Sequence, residues 1–510
     1  MTHSAPTRAL LGLLALTMVC APFYGAWRYD EFRRAVTAQE APPGPGAGNP
    51  AAGGPPAQGR RAEGAAPVVL AYHDIGRDSR SRYTVTPAAF DAQLAALAKA
   101  GYRTLSSEEF VAYLRGGPAP GSRSVFLTFD DGTHGLWVHA DRILAAHRMR
   151  AAAFLITRAV GSHRPYYLSW EEIGRMARSG RWDFESHTHD LHRREAVDGA
   201  GHRSSALAGR LWLPGEERKE TVEEYRRRIE ADLDRSIGDI TRHGLPAPKL
   251  FAYPFSESSG RAAALPTNRV LRAALAERFV AALTNSSDRP LPAGRRAAAA
   301  REVQRVEITG RTGVGELLAA LRDWTAVPPA ECPAPLTQPR WWRRDDRSHA
   351  TGLGALTGEG PHPGRTGYAA AAYRRTSSAD WTDYTVDVRV DGLRESENNV
   401  GLVVREGSLD PVTVALSLSY VRVLERRGGR WHEAGRRKLT DAAGHRMRIT
   451  VEGDRTVVVV DGGARIERAA RATGGDGTGG IAVSVRNGDP GGSWPRFTSL
   501  AVRPSAAGAG

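Results

Sequence analysis

The chain of 510 residues is predicted to form an α/β domain followed by an all-β sandwich domain. From residue 67 to residue 327, short apolar segments alternate with amphipathic helical segments, which is the order typical of α/β folds. After a proline-rich linker at 328–340, apolar residues recur at every second position in short stretches up to residue 505. Glycine and aspartate turns separate these stretches, and that pattern indicates a β-sandwich.

The first 66 residues precede the predicted folded part. Residues 10–27 are almost wholly apolar and lie between Arg8 and Arg28, and this length is sufficient to cross a bilayer. No small-x-small cleavage site follows them, so residues 1–40 are predicted to be an uncleaved membrane anchor, with a cleaved secretory signal as the alternative. Residues 41–66 are rich in Pro, Gly and Ala and are predicted to be a flexible linker.

Two segments of the α/β domain show clear helical periodicity, at 87–100 and at 222–240. Their apolar stripes are Phe90, Leu94 and Leu97 in the first, and Tyr225, Ile229, Leu233 and Ile237 in the second. Such stripes indicate packing against a core. Between these helices, residues 193–220 are predicted to be an irregular insertion that shapes a binding groove.

The formal charge of +14 comes mostly from arginine. A coding bias toward arginine is the preferred explanation, and attraction to anionic lipids, wall polymers or nucleic acid is the alternative. No nucleic-acid-binding motif accompanies the charge, so nucleic acid is not an expected partner. The only cysteines are Cys20, in the apolar segment, and Cys332, in the second linker, so no disulfide framework is expected.

The segment TFDDG at 128–132 is the most informative part of the chain. The apolar residues 125–127 predict a buried strand, and Gly132 ends it, so Asp130 and Asp131 should lie at its carboxyl edge, where α/β sheets carry their chemistry. Two adjacent carboxylates repel each other unless a cation or a proton lies between them. One solution is that one aspartate binds a metal and the other acts as a base. A simple turn is the alternative for an isolated Asp-Asp-Gly sequence.

Three histidines follow the next candidate strand. His187, His189 and His192 lie within the segment ESHTHDLH, just after the apolar residues 182–184. Imidazole is the commonest metal-binding side chain, and mixed His/carboxylate sets form hydrolytic metal sites. Together with the two aspartates, these histidines predict a metal site. His187 and His189 are one possible ligand pair, because alternate residues of an extended segment share a face. The pair of His187 and His192 also remains open at this point.

Two further strand ends complete the set. The apolar residues 68–72 lead into His73, and residues 251–255 (FAYPF) form a third strand-to-loop element whose proline restricts the backbone. An isolated histidine such as His73 is more often structural than catalytic. Its position at a strand end, like that of the other motifs, favours a functional role.

These four motifs resemble those of the polysaccharide deacetylases of carbohydrate esterase family 4, whose core is the NodB homology domain. The resemblance implies that Asp130 is the general base and Asp131 a metal ligand, with His187 as a second ligand. It also implies a distorted (β/α) barrel, and substrate binding by Tyr253, Pro254 and Phe255. The backbone N–H of Phe255 would contribute to the oxyanion site. In this family an arginine near the third motif orients the base. This chain has Ala252 near the position where that arginine is expected.

The motif order resembles a subgroup, the circularly permuted poly-β-1,6-N-acetylglucosamine deacetylases. In this subgroup the second motif is one residue longer, which implies that His192 is the third ligand, and an early Tyr-His-Asp element implies that His73 is the general acid. The resemblance extends over residues 67–324. It implies a divalent metal cofactor, with Zn²⁺ as the first choice and iron, cobalt or nickel also suited to such ligands.

The C-terminal residues 341–505 loosely resemble concanavalin-like or laminin-G-like jelly rolls. Strands are predicted at 384–390, 400–405, 419–424, 447–451 and 456–461. Such modules often bind carbohydrate, and Trp381, Trp431 and Trp494 are candidate sugar-stacking platforms or ordinary core aromatics.

The leading functional hypothesis is a metal-dependent deacetylase of an exported N-acetylglucosamine polysaccharide. The expected substrate is a β-1,6-linked polymer. Its catalytic domain would lie outside the cell, held at the cell membrane by the N-terminal segment, or would be secreted. A peptidoglycan or chitin deacetylase is a second hypothesis. A non-catalytic polysaccharide-binding protein is a third, and the retained acidic residues and histidines disfavour it.

Overall fold

The computed structural model describes residues 66–77, 81–121, 123–162, 166–258, 266–344, 353–358, 360, 364–394, 398–427, 430–469 and 477–505. The predicted membrane segment at 10–27 and residues 41–65 of the first linker lie outside this part of the chain. Within it, no helix has both the length and the apolar character needed to cross a membrane.

Nine α-helices belong to the described residues. They are α1 Pro87–Lys99, α2 Ser107–Leu114, α3 Asp141–Ala146, α4 Trp170–Arg178, α5 Val222–Arg242, α6 Pro266–Arg278, α7 Arg295–Ala300, α8 Val314–Trp324 and α9 Gly354–Thr357. A π-helical turn at Leu136–Ala140 runs into α3. Short 3₁₀ turns occur at Pro214–Glu216, Pro254–Ser256, Pro329–Glu331, Pro335–Thr337 and Pro339–Trp341.

The two helices with clear periodicity form as predicted, as α1 and α5, and local signals fix their starts. Thr86 caps α1 by accepting from the N–H of Ala89, and Thr221 forms a capping box with Glu224 at the start of α5. The apolar stripe of α1 is buried in the main core of the α/β domain.

The strands of the α/β domain are β1 Val68–Tyr72, β2 Asp74–Ile75, β3 Thr84–Val85, β4 Arg103–Thr104, β5 Ser124–Phe129, β6 Ala151–Leu155, β7 Trp182–Ser186, β8 Arg194–Ala196, β9 Arg203–Ser205, β10 Trp212–Leu213, β11 Arg218–Lys219, β12 Leu250–Ala252, β13 Ala281–Thr284, β14 Glu302–Gln304 and β15 Val306–Glu307. The predicted insertion contains the two short hairpins β8–β9 and β10–β11.

Nine of these strands form one parallel sheet in the order β14-β13-β12-β7-β6-β5-β1-β15, with β4 beside β5. The two edge strands, β14 and β15, are consecutive in sequence and are joined by Arg305 alone. A sheet whose opposite edges are joined by one residue must curl almost into a closed barrel. The predicted distorted (β/α) barrel is therefore confirmed.

Parallel strands place their carboxyl ends at the same end of the barrel. His73 directly follows β1, Asp130 follows β5, His187 follows β7, Tyr253 follows β12 and Arg305 follows β14. The residues that the sequence motifs single out therefore converge because each one leaves a strand at this end.

The C-terminal strands are β16 Trp342–Arg344, β17 Gly367–Tyr373, β18 Tyr384–Asp391, β19 Asn399–Glu406, β20 Val412–Leu416, β21 Tyr420–Arg427, β22 Arg430–Lys438, β23 His445–Glu452, β24 Arg455–Val460, β25 Ala464–Ala469, β26 Gly480–Asn487 and β27 Arg496–Pro504. They form an antiparallel sheet of seven strands, β16-β17-β26-β19-β20-β21-β22, and one of five, β25-β24-β23-β18-β27. One apolar core joins both sheets, so the predicted β-sandwich is confirmed.

The proline-rich segment at 328–340 packs along the sandwich. Cys332 is fully buried within the sandwich core, and Leu336 packs against the same core. The N–H of Val502 in β27 donates to the carbonyl of Pro333 at 3.2 Å. The domain boundaries at 67–327, 328–340 and 341–505 stay a prediction.

Candidate active site

Three side chains at the carboxyl end of the barrel could together hold a metal ion. One potential ligand atom each from Asp131, His187 and His192 lies within 4.8 Å of the other two. The Nε2 atoms of both histidines are 3.5 Å from Oδ1 of Asp131. This oxygen is buried and has no hydrogen-bond partner among the described residues. A bound cation would satisfy all three atoms, and two imidazoles with one carboxylate are a common donor set for a divalent metal.

A backbone contact orients His187 for this role. Its Nδ1 lies 2.8 Å from the carbonyl oxygen of Ala252. Because a carbonyl can only accept, Nδ1 must donate and therefore carries the proton. The lone pair of Nε2 is then free toward Asp131, as in metal sites where a second hydrogen bond selects the tautomer.

His189 belongs to a different network, on the side of helix α5. Its Nδ1 is 2.8 Å from Oδ2 of Asp239, which also accepts from the hydroxyl of Thr157. The carboxylate of Asp232 accepts the backbone N–H groups of His189 and Asp190, at 2.9 and 2.7 Å. Of the two ligand pairs that the sequence left open, the structure therefore brings together His187 and His192.

Asp130 forms a bidentate ion pair with Arg305. Nη1 and Nη2 of the arginine donate to Oδ1 and Oδ2 of the aspartate at 2.8 and 2.6 Å. Burial by itself raises the pKa of Asp130, but the charge of Arg305 outweighs burial and holds that pKa well below its usual range. The carboxylate is therefore ionised and fixed in orientation.

Arg305 was not identified from the sequence. The family resemblance had placed the arginine that orients the base near Ala252 instead. A single arginine within the strand-like segment EVQRVEI at 302–308 was the available signal. Its Nε donates to Oδ1 of Asn285 at 2.9 Å, and Nη1 also donates to Oγ1 of Thr128 at 3.2 Å. The guanidinium carbon lies 5.8 Å from the ring centre of Phe154. These contacts hold Arg305 independently of Asp130.

His73 faces the same carboxylate from a longer distance. Its Nε2 is 4.0 Å from Oδ2 of Asp130, which is too long for a hydrogen bond. Its ring packs 4.6 Å from the ring of Tyr83. Nδ1 of His73 is buried without a hydrogen-bond partner among the described residues.

The segment after β12 presents one aromatic side chain to solvent. Phe255 is 40% exposed, whereas Tyr253 and Pro254 are buried. The φ angle of Phe255 is 58°, a strained backbone conformation for an aromatic residue that is characteristic of functional sites. Its ring lies 4.7 Å from that of His192, and the guanidinium of Arg194 lies 4.6 Å from its centre. The insertion thus contacts the candidate site through Arg194.

Tyr166 is a second exposed aromatic residue of this region and was not identified from the sequence. It is 51% exposed. Partial burial, together with the charges of Asp131 and Asp74, raises the pKa of Tyr166 to about 12. Its hydroxyl is therefore protonated at neutral pH and available as a hydrogen-bond donor.

Part of the chain is similar to proteins that are already known. A family model described as polysaccharide deacetylase matches residues 117–269, a range that includes Asp130, Asp131, His187, His192 and Phe255.

Two curated relatives are named poly-β-1,6-N-acetyl-D-glucosamine N-deacetylase. The one from Staphylococcus epidermidis is 37% identical over 120 residues, 23% of this chain and 41% of its own length. The one from Staphylococcus aureus is 28% identical over 176 residues, 34% and 54% of the two lengths. The chain thus spans about half the length of the curated relatives it matches. The solved structure of IcaB from Ammonifex degensii is 27% identical, with a TM-score of 0.39, and the similarity covers 51% of this chain and 98% of that one. Over residues 117–269, the chain is thus similar to the polysaccharide deacetylase family.

Proposed function

We propose that the protein is a metal-dependent N-deacetylase of an N-acetylglucosamine polysaccharide. The observation that carries the proposal is the placement of an arginine-bound carboxylate, Asp130, directly beside the group of Asp131, His187 and His192. One carboxylate then serves as a base while the neighbouring one serves as a ligand. The names of the curated relatives support a β-1,6-linked polymer as the first substrate to test.

In the proposed reaction, water attacks the acetyl carbonyl and the amide C–N bond breaks, which releases acetate and leaves a free amine on the sugar. A divalent metal held by Asp131, His187 and His192 would polarise the carbonyl and activate the water. Asp130 accepts the proton of the attacking water, and the backbone N–H of Phe255 donates to the developing oxyanion. His73 protonates the departing nitrogen.

The ion pair with Arg305 makes Asp130 a weaker base than an isolated carboxylate, because it stabilises the ionised form. Its value to the reaction is therefore position: both carboxylate oxygens are held, one on each guanidinium nitrogen. A fixed base close to the attacking water lowers the entropic part of the barrier.

We propose zinc as the metal, because a His₂Asp donor set with open positions is suited to it. Iron, cobalt and nickel accept the same ligands. Metal analysis of the purified protein, followed by removal and replacement of the metal, decides among these ions. Full acetate release restored by zinc alone supports the choice, and release restored only by another ion contradicts it.

The substrate is best tested with matched oligomers of N-acetylglucosamine, with β-1,6 and β-1,4 linkages, and with isolated peptidoglycan. The proposal expects the fastest acetate release from the β-1,6 series. Faster release from chitin oligomers or peptidoglycan would instead support a chitin or peptidoglycan deacetylase. Phe255 and Tyr166, the exposed aromatic residues of this region, are the first side chains to examine for contact with the sugar rings.

We also propose that the sandwich binds carbohydrate and that residues 1–40 hold the enzyme outside the cell at the membrane. Of the three candidate tryptophans, Trp381 and Trp494 are buried in the sandwich core, and Trp431 is 53% exposed. Carbohydrate binding by this domain is therefore proposed through Trp431.

For the location, cell fractionation with and without residues 1–40 separates an anchored from a secreted protein.

A further inference from the structure

Arg296, on helix α7 of the barrel domain, is fully buried against the sandwich. Its Nη2 donates to the carbonyl oxygens of Glu406 and Thr478 at 3.1 and 3.2 Å, and its Nε donates to the hydroxyl of Thr478 at 3.2 Å. Nη1 donates to the carbonyl of Pro290, at 3.3 Å, within the barrel domain. One side chain therefore connects the segment around α7 to the end of strand β19 and to the segment that precedes strand β26.

The sandwich is shaped to receive this side chain. A Cβ atom on Gly407 would lie 2.8 Å from Nη1 of Arg296, and one on Gly479 would lie 2.8 Å from Nη2. Both glycines have positive φ angles, of 75° and 138°. The carboxylate of Asp380 also accepts the backbone N–H of Arg296 at 2.9 Å. A buried guanidinium is costly unless its donors are satisfied, and here the sandwich supplies most of the acceptors.

The same segment leads directly to the candidate base. After α7, Arg301 turns the chain with a φ of 51° into strand β14, and Arg305 follows that strand. The segment is also closed on itself, because the N–H of Gln304 donates to the carbonyl of Leu291 at 2.7 Å. Arg296 at one end of this folded segment is fixed by the sandwich, and Arg305 at the other end holds Asp130.

We propose that Arg296 is a positioning residue through which the C-terminal sandwich aligns Arg305 on Asp130. The inference rests on the proposed function, because it gives the sandwich a part in deacetylation. The sandwich acts here without touching the substrate: docking of Arg296 fixes α7, α7 fixes β14, and β14 sets the distance from Arg305 to Asp130.

A purely structural role is the competing explanation. Strand β14 also pairs with β13, through Ala282 with Glu302 and Leu283 with Val303. If that pairing is sufficient, Arg296 only holds the two domains together, and its loss leaves Arg305 in place.

A double-mutant cycle on the full chain separates the two explanations. Arg296→Met is expected to lower kcat on β-1,6-linked N-acetylglucosamine oligomers by about tenfold, with KM nearly unchanged, because small misplacement of a catalytic group is costly. In an Arg305→Lys background the same change should have no further effect. Additive losses would overturn the inference. Arg296→Lys replaces Arg296→Met where the latter does not fold.

Arg343→Met is the matched control. Arg343 pairs with Asp323 of helix α8 at 2.8 Å, so it also links the sandwich to the barrel domain. Among the described residues it has no hydrogen bond or ion pair to the segment of Arg305. Its substitution should leave kcat unchanged. An equal loss of kcat in this variant would overturn the inference, because any weakening of the domain contact would then be sufficient.

Hydrogen exchange gives a readout that needs no activity. The N–H of Arg305 donates to the carbonyl of Thr284 at 2.8 Å. Arg296→Met should speed exchange in the peptide that covers residues 302–305, and Arg343→Met should not. Unchanged exchange in Arg296→Met overturns the inference. If the wild-type protein releases no acetate from any substrate, the proposed function fails, and the exchange experiment still decides the role of Arg296.

Discussion

Arg305 and Asp130 meet in a buried bidentate ion pair although 175 positions separate them in the chain. The pair exists because β14 and β15 are the two edges of one curled sheet and Arg305 is the single residue between them. The closure of the barrel and the orientation of the candidate base therefore depend on the same residue.

Replacing Arg305 tests its orienting role. Arg305→Lys keeps a positive charge but cannot make both hydrogen bonds to Asp130. We expect kcat for acetate release to fall by about 10- to 100-fold, while the bound metal stays at the wild-type level, because Arg305 does not contact the three candidate ligands. Steady-state kinetics and metal analysis of the same preparation check this prediction. Wild-type kcat in this variant would show that Asp130 needs no orienting partner.

The ligand pair is tested by two matched substitutions in one loop. His192→Gln removes a candidate ligand, whereas His189→Gln alters a histidine that is bonded to Asp239. We expect metal affinity to fall by more than about 100-fold in the first variant, since even residues behind the ligands change affinity by up to that factor. His189→Gln should bind one equivalent of metal. The reverse pattern in a metal titration would assign the site to His187 and His189.

Glu185 should make stability depend on pH. Burial raises the pKa of this carboxyl to about 7, although the N–H groups of Lys249 and Leu250 donate to it. The unfolded chain ionises Glu185 near its ordinary pKa of about 4.5, while the folded protein keeps it protonated up to about 7. Stability from this group is thus complete at low pH and is lost as pH rises through 7.

Glu185→Gln, which resembles the protonated form, should therefore be more stable than the wild type at pH 8, by at most about 3 kcal/mol. At pH 5 the difference should be small. Thermal unfolding of both proteins with chelator present, so that metal release does not contribute, measures the difference. Equal thermal unfolding midpoints of the two proteins at pH 8 would show that ionisation of Glu185 does not destabilise the folded protein.

Trp431 is the side chain on which carbohydrate binding by the sandwich is proposed. We expect Trp431→Ala to weaken binding of the full chain to the polysaccharide substrate by about tenfold, since exposed tryptophans that become buried in a complex contribute more than most contacts. Leu409→Ala is the control, because Leu409 is similarly exposed, at 58%. Equal binding of the polysaccharide by both variants would contradict carbohydrate binding through Trp431.

The strand-end motifs allowed the convergence of several candidate site residues to be predicted, while their roles stay a prediction. Asp130, Asp131, His187 and His73 each follow a short apolar strand, and parallel strands bring such positions together whatever the details of packing. The choice between His189 and His192 needed the structure, because it depends on the turn at Thr188, whose φ is 78°, and on the acceptors of helix α5. No local pattern carries that information.

Arg305 and the tryptophans show what sequence patterns leave out. Pairing of Arg305 with Asp130 depends on which strands form the sheet edges, and a strand of three residues such as β14 gives little signal of its own. Trp381 and Trp494 lie in the sandwich core while Trp431 lies at its surface. Trp431 lies on β22, whereas Trp381 and Trp494 lie in connecting segments. Which of these positions becomes buried depends on how the two sheets and their connections pack, and the presence of a tryptophan in the sequence does not reveal this.

Acetate release tests the central claim most directly. The full chain, its Asp130→Asn variant and a chelator-treated sample would be incubated with β-1,6-linked N-acetylglucosamine oligomers, and acetate would be measured over time. We predict release by the wild type that stops with chelator, returns with added zinc, and falls by at least about 100-fold in Asp130→Asn. Release that persists in Asp130→Asn, or that is indifferent to chelator, would contradict the proposed division of roles between Asp130 and Asp131.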